Sequence, residues 1–182
     1  VMEESAQADG MRFESLTFKG LRARPVVLKL ERPVVARIAT ITDWPLILID
    51  LYTDEGIVGR SYLEPYTTKS MKYLIPALQD FGEMLKGHPL RPFELYNLAR
   101  KSLHFVGYQG MSMIAVAGLD MAAWDALAKA AGMPLCVLLG GSVGSVNAYN
   151  SNGLWLREPE EVAAEAIELR DEGGFTGLKL RL

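Results

Sequence analysis

The sequence predicts two architectures in series: an α+β unit built on a three-stranded antiparallel meander with helices, then the first β-α-β of a parallel sheet. Three observations lead there. Residues 45–53 (P-L-I-L-I-D-L-Y-T) form the clearest strand, and Thr53-Asp54-Glu55-Gly56 turns the chain back into a hairpin partner over 57–63. Residues 68–139 then take the helical period. After Gly144 the order becomes strand, helix, strand over residues 146–182, which is the grammar of a parallel pair.

The elements follow in order. Residues 1–10 are small, polar and acidic, without the cationic start and apolar block of a signal peptide. They are expected to be a flexible leader, with Met11 a candidate start. Residues 13–19 alternate Phe13, Ser15 and Thr17 against Glu14, Leu16 and Phe18, the pattern of a strand. Residues 22–30 continue with Val26 and Val27, where Pro25 suits an edge position. Residues 31–44 are too long for a tight hairpin and are expected to be a loop, functional or mobile.

Four helices come next. Residues 68–85 place Met71, Leu74, Ile75, Leu78, Phe81 and Leu85 on one face, and Gly87-His88-Pro89 stops the pattern. Residues 92–103 start with proline in the first turn. Residues 110–131 end at Gly132-Met133-Pro134, and the short apolar run 135–139 ends at Gly140-Gly141. A strand at 146–151, a helix at 159–171 opened by Glu158, Glu160 and Glu161, and a strand at 175–182 complete the chain. The domains expected are thus 11–140 and 145–182, with a boundary near 140–145.

Composition narrows the function. An apolar fraction of 49% and a charged fraction of 23% are ordinary for a globular protein. A net charge of −3 without any basic run argues against nucleic acid as a partner. The single cysteine, Cys136, excludes an internal disulfide and fits a reducing, cytoplasmic setting. Its apolar neighbours predict a buried, inert thiol. Residues 111–131 are long enough for a membrane span, but Asp120, Asp125 and Lys129 favour a buried soluble helix and no membrane partner. His88 and His104 lack metal-ligand spacing, and His104, between Leu103 and Phe105, is expected to be packed. No Ser-His-Asp order, P-loop or zinc spacing is present.

The stretch Gly177-Leu178-Lys179-Leu180-Arg181-Leu182 carries the most chemistry. In a strand, Lys179 and Arg181 point one way and the leucines the other. A buried face with two cations is costly unless an anion sits in front of it. The alternative is two surface cations on a charged edge strand.

Residues 11–182 resemble the enolase superfamily, specifically its mandelate racemase subgroup. The resemblance rests on G-Y-Q-G-M-S-M-I-A-V-A-G-L-D-M-A-A-W-D-A-L-A-K (107–129) followed by P-L-C-V-L-L-G-G (134–141). I-D-L-Y-T-D-E-G-I-V-G (49–59), S-Y-L-E-P-Y-T (61–67) and a Lys179-x-Arg181 pair, in place of the family's Lys-x-Lys, support it. It implies an N-terminal α+β capping domain packed on a TIM-like (β/α)7β barrel. It also implies Mg²⁺ held by acidic residues of the third to fifth barrel strands, a cytoplasmic homo-oligomer, and proton abstraction α to a carboxylate. Such a barrel needs about 200–250 residues, and roughly forty are present. The metal ligands and the later His/Asp base are therefore expected beyond Leu182, and the 182 residues alone are expected to be inactive.

The resemblance also implies site roles. Lys179 faces the substrate carboxylate and offsets its developing charge. Arg181 stands where the family places a lysine base, and arginine effectively never deprotonates. That change argues against two-base racemisation and favours a one-base dehydration of a sugar acid. Ser151 and Asn152, ending the first barrel strand, are substrate-binding candidates, with Asn150 a weaker one. Tyr66 is a substrate-facing candidate in the loop after the meander; Glu64, Arg37 and Trp44 are weaker ones. Asp120, Trp124 and Asp125 are read as structural, fixing the helix that buttresses the capping domain against the barrel. The expected function is an acid-sugar dehydratase, with a racemase or epimerase of hydroxy acids second. A non-catalytic capping-domain binding module or a cleavage fragment are the remaining readings.

Overall fold

Pro45, Ile47, Ile49 and Leu51 alternate along one strand and are all buried, and this period-two pattern organises the main layer. The computed structural model describes residues 15–181; the expected leader, the candidate start at Met11 and the beginning of the first expected strand lie outside the described residues. Strands β1 (Phe18–Ala36), β2 (Ala39–Thr53) and β3 (Val58–Leu63) form an antiparallel sheet in the order β1-β2-β3.

Two expectations about this sheet change. Of the described residues in the segment at 13–19 only Phe18 and Lys19 enter a strand, and they continue into 22–30 as one strand, β1, with an irregular register between Phe18 and Gly20, while Thr17 forms an isolated bridge to Pro89. Residues 31–44 are not a loop: β1 and β2 stay paired out to Ala36↔Ala39, across a turn at Arg37-Ile38. The register shifts between Lys29 and Val34, around Pro33, which has no N–H to give the ladder. Neither turn residue has a positive φ, so the glycine or asparagine that marks a tight hairpin is absent.

After a 3-10 turn at Thr68–Ser70, helices α1 (Met71–Leu85), α2 (Pro92–Ser102) and α3 (Met111–Ala130) cover the sheet. Leu74 and Leu78 of α1 and Val116 and Leu119 of α3 share a core with Ile47, Ile49 and Leu51. Helix α3 approaches the sheet closely because glycines meet it: a Cβ on Gly59 would collide with the Ala122 carbonyl oxygen. Ser61 Oγ donates to the Gly118 carbonyl at 2.7 Å. By length and composition α3 could cross a membrane, but Ala115, Val116, Leu119, Ala122, Ala123 and Ala126 are buried in the core, which accounts for its apolarity.

The charged residues of α3 serve the sheet edge. Asp125 accepts the backbone N–H of Arg60 at 2.6 Å, and Lys129 Nζ donates to the Val58 carbonyl at 2.9 Å. Asp125 and Lys129 also pair with each other. One i,i+4 pair thus satisfies a donor and an acceptor on the exposed edge of β3. Asp125 is structural, bonded to Arg60 on the sheet and to Lys129 on its own helix. Trp124 packs edge-on against Phe93, ring centres 5.3 Å apart. Burial pushes the Asp120 carboxyl above its ordinary range, and a hydrogen bond from Trp124 opposes the shift.

Two side chains stand further out than expected. Cys136 is exposed, because helix α4 (Leu135–Leu138) is a single turn with no fully buried residue. His104 is exposed on the turn after α2, edge-on to Phe105 at 5.4 Å with Nδ1 3.1 Å from the Tyr108 hydroxyl. The final elements are β4 (Tyr149–Asn150), α5 (Pro159–Gly173) and β5 (Gly177–Leu178), with β4 and β5 parallel. Both strands are shorter than the 146–151 and 175–182 expected: the ladder pairs only Tyr149 with Gly177 and Asn150 with Leu178 among the described residues.

Candidate functional site

The end of β4 and the residues after β5 meet through the parallel ladder. The Lys179 N–H donates to the Asn150 carbonyl at 3.0 Å, extending the pairing one step past β5. Asn150 is buried: its Nδ2 donates to the Leu169 carbonyl of α5 at 3.2 Å, and its Oδ1 accepts the Asn152 N–H at 3.0 Å. Asn150 therefore ties the strand to its helix. By alternation, Tyr149 and Ser151 then face away from α5, and Lys179 shares their side of the ladder. Lys179 Nζ lies 6.0 Å from the Tyr149 ring centre.

Arg181 is held more closely. Its guanidinium carbon lies 4.0 Å from the Trp155 ring centre, Nη1 is 3.3 Å from the Ser151 carbonyl, and its N–H donates to the Leu154 carbonyl at 3.2 Å. Among the described residues neither Lys179 nor Arg181 forms a salt bridge. Two cations thus extend from one strand end, without an anionic partner among the described residues.

The loop between β4 and α5 contains residues that sequence reasoning missed. Leu154 has φ +54°, in the left-handed region, and is buried. Its N–H donates to Glu165 Oε2 at 2.8 Å, and Glu165 is itself buried. A signal for Glu165 exists in the sequence: it falls among Val162, Ala166 and Leu169 on the apolar stripe of α5, where a carboxylate needs a partner. Trp155 has no such signal.

Ser151, Asn152, Lys179 and Arg181 are brought to the same strand end. Tyr66 is on a different loop, between β3 and the 3-10 turn, 66% exposed with φ +61°. Arg37 sits at the exposed hairpin turn, Trp44 pairs with Leu28 within the sheet, and Glu64 is half-buried. The hairpin nevertheless reaches the β-α-β unit: Arg32 Nη1 contacts both carboxylate oxygens of Glu172 on α5, at 3.0 and 2.8 Å. Arg32 holds the Glu172 carboxyl below its usual range and is itself raised by that bond. No three His, Cys, Asp or Glu side chains gather into a metal-holding group among the described residues. The described residues thus do not suit a divalent ion.

An antiparallel sheet backed by three helices, running into the opening β-α-β of a parallel barrel, defines a capping-domain protein of the enolase type. The chain belongs to the mandelate racemase / muconate lactonizing enzyme family, whose N-terminal domain is matched over residues 20–140. It is 39% identical over 142 residues to the L-talarate/galactarate dehydratase of Salmonella typhimurium, covering 78% of this chain and 36% of that protein. Among solved structures it is similar to an enolase from the alpha proteobacterium bal199 with bound Mg, at 68% identity and TM-score 0.88, covering 92% of this chain and 47% of that one. It is also similar to an enolase from Bradyrhizobium complexed with magnesium and mandelic acid, at 37% identity and TM-score 0.81, covering 91% and 45%. The chain therefore spans less than half the length of each of these relatives.

Proposed function

We propose that this chain is the N-terminal portion of a Mg²⁺-dependent enzyme that removes the proton α to a carboxylate, and that the whole protein dehydrates an acid sugar. Its partners are then the substrate acid, the remainder of the barrel and further copies of itself, in the cytoplasm. The observation that carries the reading is the Lys179–Arg181 pair, two cations at a strand end with no anion of their own among the described residues. In this reading both cations hold the substrate carboxylate and offset the charge that develops there as the α-proton leaves. Ser151 and Asn152 lie at the same strand end, and in this reading Tyr66 faces the substrate from the capping domain. The metal ligands belong to the part of the relatives that this chain does not span.

Arginine at position 181 supports dehydration over racemisation, because a guanidinium does not serve as the second base. Loss of the α-proton and of a β-hydroxyl as water yields an enol, which tautomerises to a 2-keto acid. Likeness to the dehydratase that acts on talarate and galactarate supports the sugar-acid class. A racemase of hydroxy acids is the second reading, favoured by the relative complexed with mandelic acid.

The test is a panel of acid sugars and hydroxy acids incubated with the whole protein and Mg²⁺. Dehydration gives a 2-keto acid, read as its semicarbazone absorbance. Loss of optical rotation without keto acid supports the racemase. If neither occurs with any acid, the enzymatic reading fails.

A further inference from the structure

Trp155 is placed in an unusual way. It is 7% exposed, yet its indole Nε1 is buried without a hydrogen-bond partner among the described residues. An unpaired buried N–H costs stability, so a phenylalanine or leucine would fill the space more cheaply if filling were the task. The residue before it adds to that cost. A buried leucine in the left-handed region carries about 1–3 kcal/mol of strain and persists only where its surroundings hold it. Leu154 is held on both sides, its N–H by Glu165 and its carbonyl by the Arg181 N–H.

The strained turn brings the indole face to the guanidinium of Arg181, 4.0 Å from the ring centre. The same guanidinium reaches the Ser151 carbonyl at 3.3 Å. A free arginine side chain samples many rotamers, and ordering it costs up to about 2 kcal/mol. A ring face on one side and a carbonyl on the other remove most of that freedom before any substrate arrives. Lys179 has no comparable support, its Nζ lying 6.0 Å from the Tyr149 ring.

We infer that Trp155 is a positioning residue for Arg181: with Glu165 locking the Leu154 turn, it fixes the guanidinium beside Lys179 so that the carboxylate of an acid substrate meets a pre-set charge. The catalytic part rests on the enolising site proposed above; the placement part does not. Both are tested in the whole protein with Trp155→Phe, which keeps a ring face, and Trp155→Leu, which removes it.

Placement is read from the Arg181 Nε–H resonance, assigned by its loss in Arg181→Lys. Ring current should hold it upfield in the wild type and, more weakly, in W155F, and it should move to the free-arginine position in W155L. A resonance already at the free-arginine position in the wild type, or unmoved in W155L, overturns the inference. So does its loss in W155F, which decides the matter even if W155L does not fold. For turnover, W155L should lower kcat by about 10–100-fold with little change in KM, since misplacing a group by about 1 Å costs that much, and W155F should stay within about threefold of wild type. Equal losses in W155F and W155L, or none in W155L, overturn the catalytic part. If the wild type turns over no acid, the dehydratase reading fails and the resonance still decides the placement.

Discussion

The sheet-and-helix unit and the β4-α5-β5 unit treat their polar groups in opposite ways. In the first, each charge near the core meets a partner: Asp50 is paired with Arg24 at 2.6 Å and Arg60 at 3.3 Å, and Asp125 and Lys129 close the edge of β3. In the second, among the described residues, Lys179 and Arg181 lack an anion and the Trp155 N–H lacks an acceptor, and Leu154 is strained. Charged residues in the first unit therefore report architecture: Asp125, read as structural in the sequence, closes the edge of β3. In the proposed function, the leftover polar groups of the second unit mark where the substrate acid is met.

Matched substitutions sharpen this contrast. Leu78 of α1 and Leu169 of α5 are both fully buried. Leu78→Ala should cost about 3–4 kcal/mol and lower the melt of the whole chain, because its cavity lies in a closed core. Leu169→Ala should cost roughly 1–2 kcal/mol and show as faster amide exchange confined to α5 and its flanks. Equal effects on the global melt would erase the distinction.

Glycine replacements test the same contrast at a smaller scale. At Gly59 an added methyl meets the backbone carbonyl of Ala122, which moves only if α3 moves. Gly59→Ala should cost about 2–3 kcal/mol. At Gly153 the neighbours are the ends of the Leu169 and Glu165 side chains, at 2.8 and 3.0 Å, which can give way. Gly153→Ala should cost less than half as much in a denaturant titration.

The smallest effect concerns the contact between the two units. Arg32 lowers the Glu172 pKa from its ordinary 4.5, so the folded state binds the proton less readily than the unfolded one. The ion pair contributes above pH 4.5 and is lost as pH falls through the lowered value. Amides of β1 near Arg32 should therefore exchange faster as pH falls through that window, after correction for intrinsic rates. Glu172→Gln should remove the pH dependence; a dependence that survives it would assign the contact to other groups.

Much of this was legible along the chain. Residues with strong period, such as the apolar stripe of α1 or the alternation in β2, announced their element and their buried face, because each pattern is local. The hairpin over residues 31–44 was not legible, since Arg37-Ile38 lacks turn chemistry and Pro33 resembles a break. Cys136 and His104 have apolar neighbours in sequence, but Cys136 stands on a single turn with no fully buried residue, and beside His104 it is Leu103 that packs against the core. At the candidate site, Lys179, Arg181, Ser151 and Asn152 could be named from pattern and resemblance, while Trp155 and Leu154 could not.

The sequence by itself determined the element order, the antiparallel-then-parallel arrangement and the cations at positions 179 and 181, because hydrophobic period and residue type act over a few neighbours. Only the tertiary structure decided what each charge does. Asp125 closes a strand edge 65 residues away, Arg32 reaches Glu172 140 residues away, and Arg181 lies on an indole that no periodic pattern marks. Such pairings depend on where the packed elements bring side chains together, and burial then makes the outcome of each meeting costly or favourable.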